Sequence, residues 1–381
     1  MPGVGFIRPS SGVGGSVSVA AYSDSGFTNP ITSAEIGDTI YIKSTVIGIT
    51  PTEYRFFVFE TASNGVATIQ VGNSISYNIT SFNDLVIYAE AKDASVAAAA
   101  FTSFEVTINS DADADAFIAA HNSNTGSTMA ALQQQAVQGF FQRLKGIGTT
   151  NGSDIWSIVS ANVNSRIFPL IPIDDSTASF DGYKLDCVNL SNGSYNNFIA
   201  SDLSVNGVEG GGTKYFDTGL PPSAFGQNDI SVHFYSRTNL EGSDRDVGAS
   251  DASSYGAKQL AVTPNRSGSY RFDINNNGLL STFSGASSTL GFYSAVRDGA
   301  TTSYLYRNGL LVATSGSTSV YPTASNLYFH AHNQGGTIFN PSSRQLCFYA
   351  QIPSLNSFEI QDFEEAVLWL QQNVITGGRD V

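Results

Sequence analysis

The feature that most narrows the possible folds is SYLYRNGLLVAT, Ser303 to Thr314, where alternating apolar residues flank an Asn-Gly pair. A two-residue type I′ turn needs positive φ at both central positions, so Asn308-Gly309 predicts a β-hairpin. Side chains alternate along a strand, which puts Tyr304 and Tyr306 on one face and, on the return, Leu311 and Ala313 on one face. Similar runs surround it: YKLDCVNL, TKYFDTGLPPSAF, ISVHFYSRT, AKQLAVT, SYRFDIN, GLLSTF, TLGFYSAVRD, NLYFHAHNQ and SRQLCFYAQI. Turn dipeptides separate nearly every pair. So many short antiparallel strands predict two packed sheets, a jelly-roll sandwich over residues 166–381, with YKLDCVNL as first strand and SRQLCFYAQI as last. Ser357 is then expected to cap a final helix, with Phe358, Phe363, Ala366, Val367 and Leu370 on one face.

Upstream, residues 16–109 carry seven strand-like runs: SVSVAAYS, DTIYIKSTVIG, YRFFVFET, VATIQVG, SISYNIT, DLVIYAEAKD and SFEVTI. That count and spacing predict an immunoglobulin-like sandwich. With no Cys pair and no Trp in this region it is not an antibody-type domain. It resembles the PKD-type immunoglobulin-like modules used as spacers. Residues 1–15, rich in Gly, Pro and Ser, read as an extended N-terminal arm. Residues 110–165 read as a helical connector. Its leading NSDADAD is explained by helix capping in a solvated linker. A short helical turn over Phe117–Ala120, broken at Asn122 to Gly126, precedes an amphipathic helix capped by Ser127 or Thr128. Met129, Leu132, Ala136, Val137, Phe140, Phe141 and Leu144 form its stripe. DIWSIV is a further short helix that lays Trp156 on the sandwich.

Charge excludes some functions. Only 13% of residues are charged, the net charge is −14, and no Lys/Arg cluster occurs along the chain, so nucleic acid is not an expected partner. No apolar run is long enough for a signal peptide or a membrane span. Cytoplasmic synthesis without a signal, combined with extracellular-style β-domains, fits a protein released by lysis, as virus particles are. Cys187 and Cys347 read as free buried thiols, with a disulfide formed after release as the alternative.

The order YFDTGLPPS, SYLYRNGLLVA, SSRQLCFYAQI, preceded by helices over residues 111–156, resembles the concanavalin A-like lectin/glucanase (laminin-G-like) domains of bacteriophage structural proteins. The resemblance covers residues 111–381. It implies a virion protein: a head fibre, a capsid decoration or a tail-associated protein. Its implied partners are other virion proteins in a homo-oligomer or symmetric array, and host-surface polysaccharide. The alternatives are a carbohydrate-binding adhesion module of a bacterial surface protein and, further off, a glycan hydrolase.

No catalytic constellation emerges, and the expectation is a non-enzymatic protein. Glucanases of this fold use E-x-D-x-x-E on a strand. The nearest string here, Glu359, Asp362 and Glu364, has the wrong spacing and falls in the final helix, where Glu364 and Glu365 read as a solvated face. His330 and His332, two apart on a strand, would share a face; without a third placed ligand they read as structural. Asp244, Asp246 and Asp251 in EGSDRDVGASD are the candidate metal residues, for calcium, which is common in the resembled family and needs six to eight oxygens. Asp273 to Gly278, DINNNG, is a similar Asp/Asn-rich loop, read first as turn chemistry. Exposed aromatics such as Tyr235, Tyr270, Tyr304 and Tyr328 are candidates for stacking on sugars, with the core as the simpler destination.

Overall fold

Alternation is realised as strands in both halves of the chain. The computed structural model describes residues 16–34, 38–47, 53–60, 66–70, 73–78, 85–92, 100–108, 110–251, 258–277 and 280–379; the expected arm, residues 1–15, lies outside them. The chain divides into two units, Met1–Ser110 and Asp111–Val381.

In the first unit all seven expected runs are strands. One sheet has the order Pro30–Ile31, Ser16–Tyr22, Thr39–Ile47, Ser74–Asn78. The other has Ser33–Ala34, Ala100–Ile108, Leu85–Lys92, Glu53–Glu60, Val66–Gln70. Residues 30–34 switch sheets: Ile31 pairs antiparallel with Ala21, and Ser33 pairs parallel with Thr107. Val19, Ala21, Ile40, Ile42, Phe56, Val58 and Ile87 form the core of this β-sandwich.

The second unit is a larger, mainly antiparallel sandwich. An eight-stranded sheet runs Leu203–Ser204, Gly207–Glu209, Gln345–Ile352, Ile230–Ser236, Gly291–Arg297, Ser303–Arg307, Leu310–Ser315, with Arg166–Phe168 also paired to Gln345–Ile352. A nine-stranded sheet runs Ser194–Asn196, Tyr215–Asp217, Tyr328–Phe329, Val247–Ser250, Lys258–Arg266, Ser269–Asn277, Ser281–Ser284, with His332–Gln334 and Thr337–Phe339 attached. Between the sheets lie Ile230, Val232 and Phe234 from one side and Val247, Val262 and Phe272 from the other. The alternate residue Tyr235, with Phe292 and Phe348, faces away, into a second core built with the helices. A sheet with both faces buried reads as a nearly continuous apolar run, as FYSAV does, broken only by the buried Ser294.

The helices are α1 (Ala112–Thr125), α2 (Ala131–Leu144), α3 (Ile155–Ser160), α4 (Phe180–Tyr183) and α5 (Ser357–Asn373). Asp111 caps α1 by accepting from the Asp113 and Ala114 amides, as the NSDADAD reading requires. The residues expected to connect two domains share one core with the sheet: Phe117, Phe140, Phe141 and Ile155 cluster with Phe348 and Phe363. Each fully buried Phe contributes roughly 1.5–3 kcal/mol relative to exposure. α2 approaches α5 so closely at Gly139 that a Cβ there would lie 2.2 Å from the Trp369 indole nitrogen.

Several local expectations are corrected. α1 runs through Asn122 and stops only at Gly126, where φ is +67°. α2 starts after Ala130 with no side-chain cap, so neither Ser127 nor Thr128 caps it. Trp156 stacks edge-on against Phe141 of α2, with centroids 4.9 Å apart, and packs on the core that the helices share with the sheet. The cap of α5 is Asn356, in a capping box with Glu359; Ser357 is its first helical residue, and Phe358 is exposed. YKLDCVNL is not a strand, because buried Asp186 accepts from the Ile167, Val188 and Asn189 amides and winds the segment into a turn. Arg166–Phe168 takes its place as first strand. The 303–315 hairpin forms with Asn308 at φ 49° and Gly309 at φ 66°. A bulge then pairs Leu305 with Ala313 but Tyr306 with Leu311, so Leu311 and Ala313 face opposite sides. Cys187 and Cys347 are free and buried.

Candidate functional site

The three acidic residues expected to bind calcium do not converge. Asp246 is fully buried and committed to Arg344, whose Nη1 lies 2.9 Å from its Oδ1, and it also accepts from the Ser342 hydroxyl. Asp251 accepts from the Thr323 hydroxyl and from the Ala324 amide at 2.8 Å, with Lys258 Nζ at 3.7 Å. Asp244 stays in the loop, half-buried. Among the described residues no three His, Cys, Asp or Glu side chains are placed to hold a metal. The structure thus does not bring Asp244, Asp246 and Asp251 together, and the loop is pinned by a buried ion pair. Asp273 is saturated in the same way, by the Ser281 amide and hydroxyl at 2.7 and 2.8 Å and by the Ser315 and Ser317 hydroxyls at 3.0 and 2.7 Å.

The histidines are structural. His330 has φ +63°, which breaks the strand, so it does not share a face with His332. Its Nε2 meets the Tyr349 hydroxyl at 2.6 Å, and His332 Nε2 meets the Ser250 hydroxyl at 2.8 Å. Burial pushes His330 down to about 3 and His332 to about 2, so both are neutral near pH 7. Of the carboxylates on α5, Asp362 accepts from the Asn151 and Ser153 amides, and Glu365 from Thr150. Glu364 is not solvated. It is 9% exposed against the hairpin turn, and burial, reinforced by Glu365, pushes its carboxyl up to about 7.

What the loop does assemble is a pocket. Thr263, Arg271 and Thr282 lie in register on three adjacent strands. They occupy the face opposite Val262 and Phe272, hence the outer face of the nine-stranded sheet. Arg266 ends its strand at a tight turn through Ser267 and Gly268, both at positive φ. Arg245 comes in from the pinned loop, its guanidinium 5.5 Å from the centroid of the Phe339 ring. These residues, with Ser243, Asn340 and Leu280, line a pocket of about 260 Å³. Among the described residues its lining holds three arginines and no carboxylate. Arg245 is buried, Arg266 and Arg271 are half-buried, and the Arg271 Nε is buried without a hydrogen-bond partner. Reading the sequence missed this cluster because the three arginines are separated along the chain. The available signal was Pro264, which within a strand marks a bulge, followed by a Ser-Gly turn that folds Arg271 back beside Thr263.

The stacking candidates lie elsewhere. Tyr235, Tyr270 and Tyr328 are buried, and Tyr304 sits 6.3 Å from Tyr306 at the edge of the helix-side core.

No family model matches this chain, and no curated protein does. Among solved structures, Trypanosoma rangeli sialidase in complex with sialic acid is similar over 94% of this chain and 54% of its own, at 13% identity and a TM-score of 0.43. The covalent-intermediate complex of the same enzyme matches over 90% and 53%, at 13% identity and TM-score 0.41. The NanB sialidase of Streptococcus pneumoniae is similar over 41% of this chain and 27% of its own, at 14% identity and TM-score 0.33. This chain thus spans between about a quarter and about half of the length of these proteins. The expectation of a non-enzymatic protein is corrected by these matches, since the similar structures are enzymes. At this level of likeness they assign neither a reaction nor a residue to the chain. Among the described residues no helix is long and apolar enough to cross a membrane.

Proposed function

We propose that the Asp111–Val381 unit binds carbohydrate, at the pocket on the outer face of the nine-stranded sheet, and that the chain serves as a bacteriophage particle protein. The observation that carries the binding role is the pocket lining. Arginine, threonine, serine and asparagine side chains converge there, with Leu280 the one apolar contributor. Sugars are recognised by such fixed polar groups acting on hydroxyl and ring oxygens. The volume of about 260 Å³ lies just below the roughly 300–1,000 Å³ of drug-sized ligand sites, which suits one sugar unit. The particle role is supported by the ordered motifs YFDTGLPPS, SYLYRNGLLVA and SSRQLCFYAQI. In that setting other virion proteins and further copies of this chain are its neighbours, and host-surface polysaccharide is its ligand.

Two experiments test this. A glycan-array screen of the full chain is expected to give saccharide-selective binding, and a blank array overturns the binding role. Electron cryo-microscopy of the particle is expected to place the chain at symmetric positions; its absence from every particle overturns the virion role.

A further inference from the structure

An outermost strand presents main-chain donors and acceptors to any other strand that approaches it. Three of the four outermost strands of this sandwich are very short: two residues at Leu203–Ser204, three at Ser194–Asn196 and four at Ser281–Ser284. The fourth, Leu310–Ser315, has six residues and, among the described residues, pairs on one side only, with Ser303–Arg307. It carries neither the charge nor the proline that commonly blunts a long edge. Its bulge falls at Val312, and Ala313, Thr314 and Ser315 keep regular register with Leu305, Tyr304 and Ser303. Leu310 is 69% exposed and Leu311 53%, so two consecutive apolar side chains stand in water.

The other sheet ends on the same side of the sandwich. Thr282, Phe283 and Ser284 line one open groove of about 550 Å³ with Leu311 to Thr314. Phe283 and Val312 reach from it to the core between the sheets. No Lys, Arg, Asp or Glu occurs between Asp273 and Arg297 or between Arg307 and Arg344, so both edge strands lie in uncharged runs. Two copies of a chain with a formal net charge of −14 repel one another over most of their surface. Set against itself across a two-fold axis, this edge strand brings no like charges together. Such an isologous contact also needs no second complementary surface.

We infer that two copies of this chain pair antiparallel through Leu310–Ser315, joining their eight-stranded sheets into one. Thr282 lines both the groove and the sugar pocket, so the pocket lies beside this edge. Pairing therefore sets one pocket on each side of the two-fold axis, where a repeating polysaccharide engages both. The bivalent consequence rests on the carbohydrate-binding reading; the pairing itself is tested without a sugar.

The test is sedimentation velocity of the full chain over a range of concentrations. A concentration-dependent dimer is expected. A monomer at every concentration overturns the inference and leaves the edge to a strand of a different protein. Leu311→Lys is expected to give a monomer whose circular dichroism and urea midpoint match those of the parent chain. Should Leu311→Lys not fold, Thr314→Lys, at an exposed position of the same strand, carries the same expectation. A variant that folds and still dimerises overturns this edge as the contact. On immobilised polysaccharide the monomeric variant is expected to bind about a hundredfold more weakly than the parent, with unchanged affinity for a soluble single-site saccharide. Equal binding by the two forms overturns the paired pockets. A polysaccharide surface that captures neither form overturns the carbohydrate-binding reading, while sedimentation still decides the dimer.

Discussion

The two sheets of the larger unit treat their outer faces in opposite ways. The eight-stranded sheet turns Tyr235, Phe292 and Phe348 outward and buries them under α2 and α5, where Phe363 and Phe140 meet them. The nine-stranded sheet turns Thr263, Arg271 and Thr282 outward and adds Arg266 from a strand end and Arg245 from the preceding loop. One face is closed by apolar packing, which is non-directional and contributes stability. The other holds directional donors, among them the Arg271 Nε, which is buried without a hydrogen-bond partner. Stability and recognition are thus assigned to different layers of the same sandwich, and substitutions on the two faces should separate them.

The largest expected effect is on the closed face. Phe348→Ala removes a ring in contact with Phe140, Phe292 and Phe363 and should cost about 3–5 kcal/mol, read as a lowered midpoint in urea unfolding. Glycan binding by the fraction still folded should be unchanged; a weakened affinity would mean the faces are not separable. Asp246→Asn follows, at about 3 kcal/mol, because it leaves Arg344 buried without a counter-ion. It also frees the loop that delivers Arg245, so it should lower both stability and binding. A loss of stability alone would show that the loop does not position the pocket.

The third effect is a pH dependence confined to the closed face. Glu364 has its carboxyl raised to about 7 by burial and by Glu365, with Tyr235 nearby. Because the folded value lies above the unfolded one, the carboxyl contributes no penalty below about pH 4.5, and the fold is weakened as pH rises through about 7. After a discount for residual solvent contact, about 2 kcal/mol should be lost between pH 4.5 and pH 8. Glu364→Gln should remove that slope, leaving stability at pH 4.5 unchanged and raising it at pH 8. A slope that persists in the variant would place the titration elsewhere. The smallest stability effect belongs to the open face: Arg266→Ala should shift the unfolding free energy by less than about 0.5 kcal/mol, since the residue lies at a half-buried strand end. A large loss would make Arg266 a structural residue.

The closed face was legible in the sequence and the open one was not, for physical reasons. Strand alternation and helix periodicity are repeated signals, so the stripe Val137, Phe140, Phe141 and Leu144 announced a buried helix surface, and all four are buried. Helix ends are set by single interactions: Asn356 rather than Ser357 caps α5, and Gly126 rather than Asn122 stops α1. The pocket depends on register. Arg271 reaches Thr263 only through a bulge between Thr263 and Arg266, which shifts the pairing beyond what the turn alone would set. Asp246 misled for a related reason: its usual surface chemistry gave no sign of Arg344, nearly a hundred residues away in sequence and directly against it in space.

The most direct test of this account is a crystal structure of the full chain grown with a saccharide that binds it on a glycan array. The account predicts the sugar in the pocket on the outer face of the nine-stranded sheet, against Thr263, Arg271 and Thr282. A sugar bound at another face with this pocket empty would contradict it.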